Sequence, residues 1–161
     1  MSDIHLERGA GSIPSIGDLL AAAAIPDHFF GARFERTPSL TVREVGGRRL
    51  VEFGKVMTSG SMCVDVETGE VVEVKGVSVW HTNQSILDFA ACVVAVLARW
   101  PFDKSGRDLD GWEAVAASVE AELRTIDPTS MAADGFWETL RWDLAQGDFA
   151  PDVNPTGWRP T

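Results

Sequence analysis

The sequence contains no tyrosine, only two cysteines and only three histidines among its 161 residues. Cys63 and Cys92 stand far apart inside apolar patterns, and no CxxC occurs. They read as buried small hydrophobes rather than a disulfide or a thiolate metal site. Long apolar runs are also missing. The longest, residues 89–97 (FAACVVAVL), is cut off by Arg99 and Pro101, well short of the roughly 20 residues that span a bilayer. The opening MSDIHLERGAGS lacks a basic region followed by an apolar one, so no signal peptide is expected and the cytoplasm is the default location. Ser59-Gly60-Ser61 lacks the lysine and following helix of a phosphate loop. Asp108, Asp110 and Glu113 lack EF-hand spacing. No cofactor, metal or membrane association is therefore expected.

What is present describes an ordinary globular chain, 45% hydrophobic and 24% charged. The length suits one domain over residues 1–161. Within it we distinguish a loose lead-in (1–13), a core (14–100), and an acidic helical extension with an irregular tail (101–161). The net charge is −10, and acids concentrate after Phe102, whereas Arg33, Arg36, Arg43, Arg48, Arg49 and Lys55 make the segment 33–55 basic. An acidic exterior disfavours direct nucleic-acid binding and suits a basic protein partner. Nothing in the sequence indicates an oligomeric state.

Ser15 and Asp18 have the spacing of a helix start, and that helix should stop at Ile25-Pro26. Phe29, Phe30 and Phe34 then read as a loop forming a lid over one end of the core. Residues 40–45 and 48–53 alternate about Gly46-Gly47, the pattern of a strand, tight turn and strand. In CVDVETGEVVEV, residues 63–74, a second alternating pair flanks a turn at Gly69. Here Met62, Val64 and Val66 share one face while Cys63 and Asp65 share the other. With a strand over 77–81, about five strands form an antiparallel meander. Ser85 caps an apolar helix bearing Ile86, Phe89, Val93 and Leu97. Asp108 caps a third helix, closed by Asp127-Pro128, and a fourth runs over 134–146. The expected class is α+β, with an N-terminal helix, helices packed on one side of the antiparallel sheet, and a C-terminal helical extension.

Three kinds of chemistry can be weighed. Cys63, His81 and Asp65 could form a thiol nucleophile, base and orienting group. However, no nucleophile elbow or oxyanion turn is present, and mid-strand residues approach substrates poorly. The residues are better read as structural, and no enzymatic activity is expected. His5 and His28 read as loop residues. A ligand-binding or regulatory scaffold would need a deep apolar pocket with converging polar groups. A protein-binding surface has the better support. Trp142 falls off the stripe of Phe136, Leu140 and Leu144, which would leave it outward beside Glu138 and Asp143. A tryptophan amid carboxylates suits a basic partner. The candidate contact residues are Asp108, Asp110, Glu113, Glu138, Trp142 and Asp143.

The order of motifs resembles the SUKH superfamily, the Smi/Knr-like fold, and especially its fourth immunity-protein branch. That branch shows a hydrophobic-D-x-x-TG-x-V hairpin followed by a V-N-x-S-hydrophobic-x-x-F helix entry. The matching positions are Val64, Asp65, Thr68, Gly69 and Val71, then Asn83, Ser85, Ile86 and Phe89, while Trp80-His81-Thr82 replaces an aliphatic approach to the asparagine. The likeness covers about residues 16–100. It implies a cytoplasmic bacterial immunity protein that neutralises a cognate polymorphic toxin, commonly nucleic-acid-targeting and basic, by stoichiometric occlusion. Asp65, Thr68, Gly69, Asn83, Ser85 and Phe89 would then be structural.

Overall fold

Alternation dominates the middle of the chain, and helical periodicity dominates its ends. The computed structural model describes residues 13–30, 33–57, 59–100, 102 and 108–148. The expected lead-in up to residue 12 and the tail from 151, with His5 and Trp158, lie outside the described residues. Helix α1 (Ile13–Ala22) precedes six strands: β1 (His28–Phe29), β2 (Phe34–Val45), β3 (Arg48–Val56), β4 (Gly60–Asp65), β5 (Val71–Lys75) and β6 (Ser78–Asn83). Helices α2 (Ile86–Ala98), α3 (Leu109–Ile126) and α4 (Phe136–Ala145) follow. The sheet is an antiparallel meander in the order β1 to β6. Gly46 and Gly47, at φ +58° and +75°, supply the left-handed backbone that a two-residue hairpin turn requires.

The phenylalanines are not a lid. Phe29 pairs with Phe34 across β1 and β2, and both rings are fully buried. The Phe34 ring lies directly on the β3 backbone at Gly54, where an added Cβ would come within 2.1 Å of it. Glycine is needed there for close approach. This gives six strands in place of about five and extends β2 back to Phe34. Pro38 sits inside that strand, where the β2–β3 register shifts between Arg36 and Thr41, and an irregularity of this kind tolerates a residue without an N–H. Helix α1 begins at Ile13 rather than after Ser15, since Pro14 in the first turn lacks only an N–H that is unbonded there anyway.

Val51, Phe53, Met62, Val64 and Val71 on one face of the sheet join residues from all four helices in the main core. Phe89 of α2 is its hub, with ring centroids 5.8–6.1 Å from Phe34, Phe53, Phe136 and Trp137. Burying one such side chain contributes about 2–3 kcal/mol. Helices α3 and α4 supply Val115, Ala116, Val119, Leu123, Leu140 and Leu144 to the same core. They are part of the fold rather than an appendage. On the other face, Val45, Leu50, Cys63, Val72 and Val74 form a smaller cluster with Val79 against it.

Candidate functional site

The β4–β5 turn is built around Asp65. Its Oδ1 accepts hydrogen bonds from the amides of Glu67 (2.8 Å) and Thr68 (3.1 Å), and its Oδ2 accepts from Arg48 Nε (2.8 Å). The Thr68 hydroxyl accepts from the Glu70 amide at 3.2 Å, and Gly69 takes φ +76°. Burial alone would raise the Asp65 carboxyl. The Arg48 guanidinium and the Thr68 and Glu67 amides outweigh it and hold the group below the ordinary carboxylate range.

A second polar knot ties the helices to the sheet. Asn83, at the end of β6, donates from Nδ2 to Asp127 Oδ2 (2.8 Å) and accepts at Oδ1 from the Trp137 indole (2.8 Å). The Gln84 amide also donates to Asp127 Oδ2 (2.9 Å), and the Thr129 amide and hydroxyl donate to Oδ1 at 2.9 and 2.7 Å. Burial pulls the Asp127 carboxyl upward. The Thr129, Gln84 and Asn83 donors prevail and keep it below its usual value. Asp127 is the C-cap of α3, where the helix dipole repels an anion, so these donors are what make the position tenable. Nearby, the Ser85 hydroxyl accepts from the Asp88 amide and caps α2.

Cys63, His81 and Asp65 share a sheet face but are not joined into a nucleophilic triad. Cys63 pairs with Val72, and Val72 pairs with His81. Cysteine and histidine are thus two strand spacings apart, about 9–10 Å. His81 contacts Glu70 Oε1 and Thr129 Oγ1, each at 2.7 Å, while Asp65 is committed to its turn. Burial, with the Glu52 charge, pushes the Cys63 thiol up to about 12, the reverse of an activated thiolate. Cys92 is likewise buried and pushed up to about 12 by burial. Among the described residues, no group of three or more His, Cys, Asp or Glu side chains is placed to hold a metal ion.

The candidate contact residues are brought together only in part. Glu113, Glu138 and Trp142 line one cleft between α3 and α4, with Glu120, Arg124, Met131 and Arg141. Trp142 is 55% exposed, and the Arg141 guanidinium lies 5.5 Å from its ring centroid. Arg141 also bonds Glu113 and Glu120, and Arg124 pairs with Glu120. The cleft therefore holds three carboxylates against two guanidiniums and is far less acidic than the sequence suggests. Asp143 turns away from it and pairs with Arg33. Asp108 is the N-cap of α3, accepting from the Gly111 amide at 2.8 Å, and Asp110 lies exposed in that helix's first turn.

A family model for the SUKH-4 immunity proteins matches residues 14–143. The chain belongs to that family. No curated protein and no solved structure matches it. The SUKH-4 match runs well past Trp100, where the sequence resemblance stopped, and takes in α3 and most of α4. Within this SUKH-4 chain, Asp65 and Thr68 of the hairpin motif and Asn83 sit in hydrogen-bond knots, and Phe89 is the centre of the aromatic core. Sequence reasoning missed Asp127, Arg141 and Arg33. Their partners stand 44, 28 and 110 residues away, and no periodicity announces pairings of that kind. No helix among the described residues is long and apolar enough to cross a membrane.

Proposed function

We propose that this protein is the immunity component of a bacterial polymorphic-toxin system. It binds its cognate toxin in the cytoplasm and blocks it by stoichiometric occlusion, without chemistry of its own. The observation that carries this reading is the SUKH-4 match across 14–143. The net charge of −10 favours a basic, nucleic-acid-targeting toxin domain. The exposed Trp142 beside Arg141, Glu113 and Glu138 supplies the kind of aromatic anchor that dominates protein interfaces, and Asp108, Asp110 and Asp143 are further contact candidates outside that cleft. An enzymatic role for Cys63 is disfavoured by its burial and by its distance from His81.

The test is co-expression with the toxin domain encoded beside this gene. Growth should be rescued, and the two chains should co-elute as a stoichiometric complex. Absence of both rescue and complex overturns the reading. A Cys63→Ala/His81→Ala double variant should still neutralise, whereas loss of neutralisation by a folded double variant would revive catalysis.

A further inference from the structure

Glu73 lies on the helix-facing side of β5, opposite Trp80 on β6 and Met62 on β4. It is only 2% exposed, and its Oε2 accepts no hydrogen bond among the described residues. A buried, unpartnered carboxylate oxygen is costly to maintain. It is not sealed in the core, however. It lines a small cleft of about 70 Å³ with Arg33, Val56, Met57, Ser59, Lys75, Phe136 and Thr139. The walls are apolar at Val56 and Phe136. Met57, Ser59 and Lys75 are exposed and leave the mouth open to solvent.

The cations already present do not satisfy this carboxylate. Lys75 Nζ reaches only Oε1, at 3.4 Å, from a half-exposed side chain, and it also stands 6.0 Å from the centroid of the Trp80 ring. It is a loose partner with an alternative resting place. Arg33, on another wall, pairs with Asp143. Burial keeps the Glu73 carboxyl above the ordinary range despite the opposing charges of Lys75 and Arg33. The ion is therefore only partly compensated in the free protein.

We propose that this cleft is a socket for an arginine side chain of the toxin partner, whose guanidinium bonds Glu73 Oε2 while its aliphatic stem lies along Val56 and Phe136. This rests on the immunity reading above and names a point of contact for it. A guanidinium fits better than an ammonium. It is planar and weakly hydrated, and its several fixed donors can serve Glu73 together with the Ser59 and Thr139 hydroxyls. An ammonium would only repeat what Lys75 supplies. Lys75 acts as a placeholder that swings towards Trp80 when the socket fills.

The test has two arms. In the first, the full chain is titrated with N-acetyl-arginine amide, and with its uncharged citrulline counterpart, while amide NMR shifts are followed. Saturable shifts are expected at Ser59, Gly60, Glu73 and Thr139 with arginine and not with citrulline. Glu73→Gln should weaken binding about tenfold, the worth of one hydrogen bond to a charged group. Lys75→Ala should strengthen it about threefold by removing the placeholder. Equal responses to arginine and citrulline, no response at these amides, or unchanged binding by a folded Glu73→Gln variant would each overturn the socket. In the second arm, wild type and Glu73→Gln are compared for affinity towards the neighbouring toxin domain. A tenfold or greater loss is expected, about the 1.4 kcal/mol of one such contact. A tight wild-type complex that Glu73→Gln leaves unchanged removes the socket and keeps the immunity reading. A wild-type protein that does not bind the toxin removes both.

Discussion

Two carboxylates are buried to nearly the same degree, Asp127 at 1% exposure and Glu73 at 2%, yet their surroundings are opposite. Asp127 collects donors from Asn83, Gln84 and Thr129 on both oxygens, and its acidity rises. Glu73 has one long contact to Lys75, an oxygen without a donor, and a lowered acidity. One carboxylate is saturated and therefore structural. The other is unsaturated, opens onto a cleft, and is therefore available. Burial alone does not separate the two carboxylates here; the inventory of donors does.

Removing the saturated group should have the largest effect. Asp127→Ala removes the acceptor shared by the Gln84 N–H and the buried Asn83 amide, leaving Asn83 Nδ2 only a long contact to Cys92 Sγ, and should cost about 3 kcal/mol in urea unfolding. A loss below about 1 kcal/mol would erase the contrast. The acid limb of stability comes next. The native Asp127 and Asp65 carboxyls both titrate below their unfolded values, so the unfolded chain takes up protons first as pH falls. Their stabilisation is complete above the ordinary carboxylate range and is lost as pH drops through the native values. An Asp65→Asn/Asp127→Asn double variant should show a visibly flatter acid limb than the wild type.

Glu73 carries the opposite sign. Its native pKa is raised, so its favourable contribution exists below the unfolded value and disappears as pH rises through the native one. At neutral pH the charged form is a burden, and Glu73→Gln should change stability by no more than about 1 kcal/mol. A cost like that of Asp127→Ala would show that Glu73 belongs to the scaffold after all. The smallest effect on stability is expected at Trp142, where alanine should cost less than about 0.5 kcal/mol. The same substitution should weaken the toxin complex by about tenfold or more, measured by calorimetry. Equal, small effects on both would remove Trp142 from the interface.

Much of this fold could be read along the chain because its signals are local. The CVDVETGEVVEV hairpin shows alternation about a glycine, and Ser85 and Asp108 mark helix starts by their spacing. The failures were also local in origin. Phe29 and Phe34 sit in a strand pair too short to alternate, and Pro38 hid the first half of β2 because a shift in register excuses a proline there. The candidate site was legible in residue type and less so in arrangement. Trp142 stands outward, but the acids around it are partly neutralised by Arg141, and Asp143 is drawn off by Arg33. Glu73 was hidden by its setting in VVEV, where period two places a glutamate on a face without telling how many donors meet it.

Helix α4 sends its residues to three places. Trp137 is anchored to Asn83 inside, Thr139 and Asp143 border the Glu73 cleft directly or through Arg33, and Glu138 and Trp142 line the outer cleft. From Thr139 to Trp142 the helix rises only about 4.5 Å. Exposed surface and architecture are thus written on separate edges of one short rod. Outward letters can be exchanged while the inward ones go on spelling the same fold.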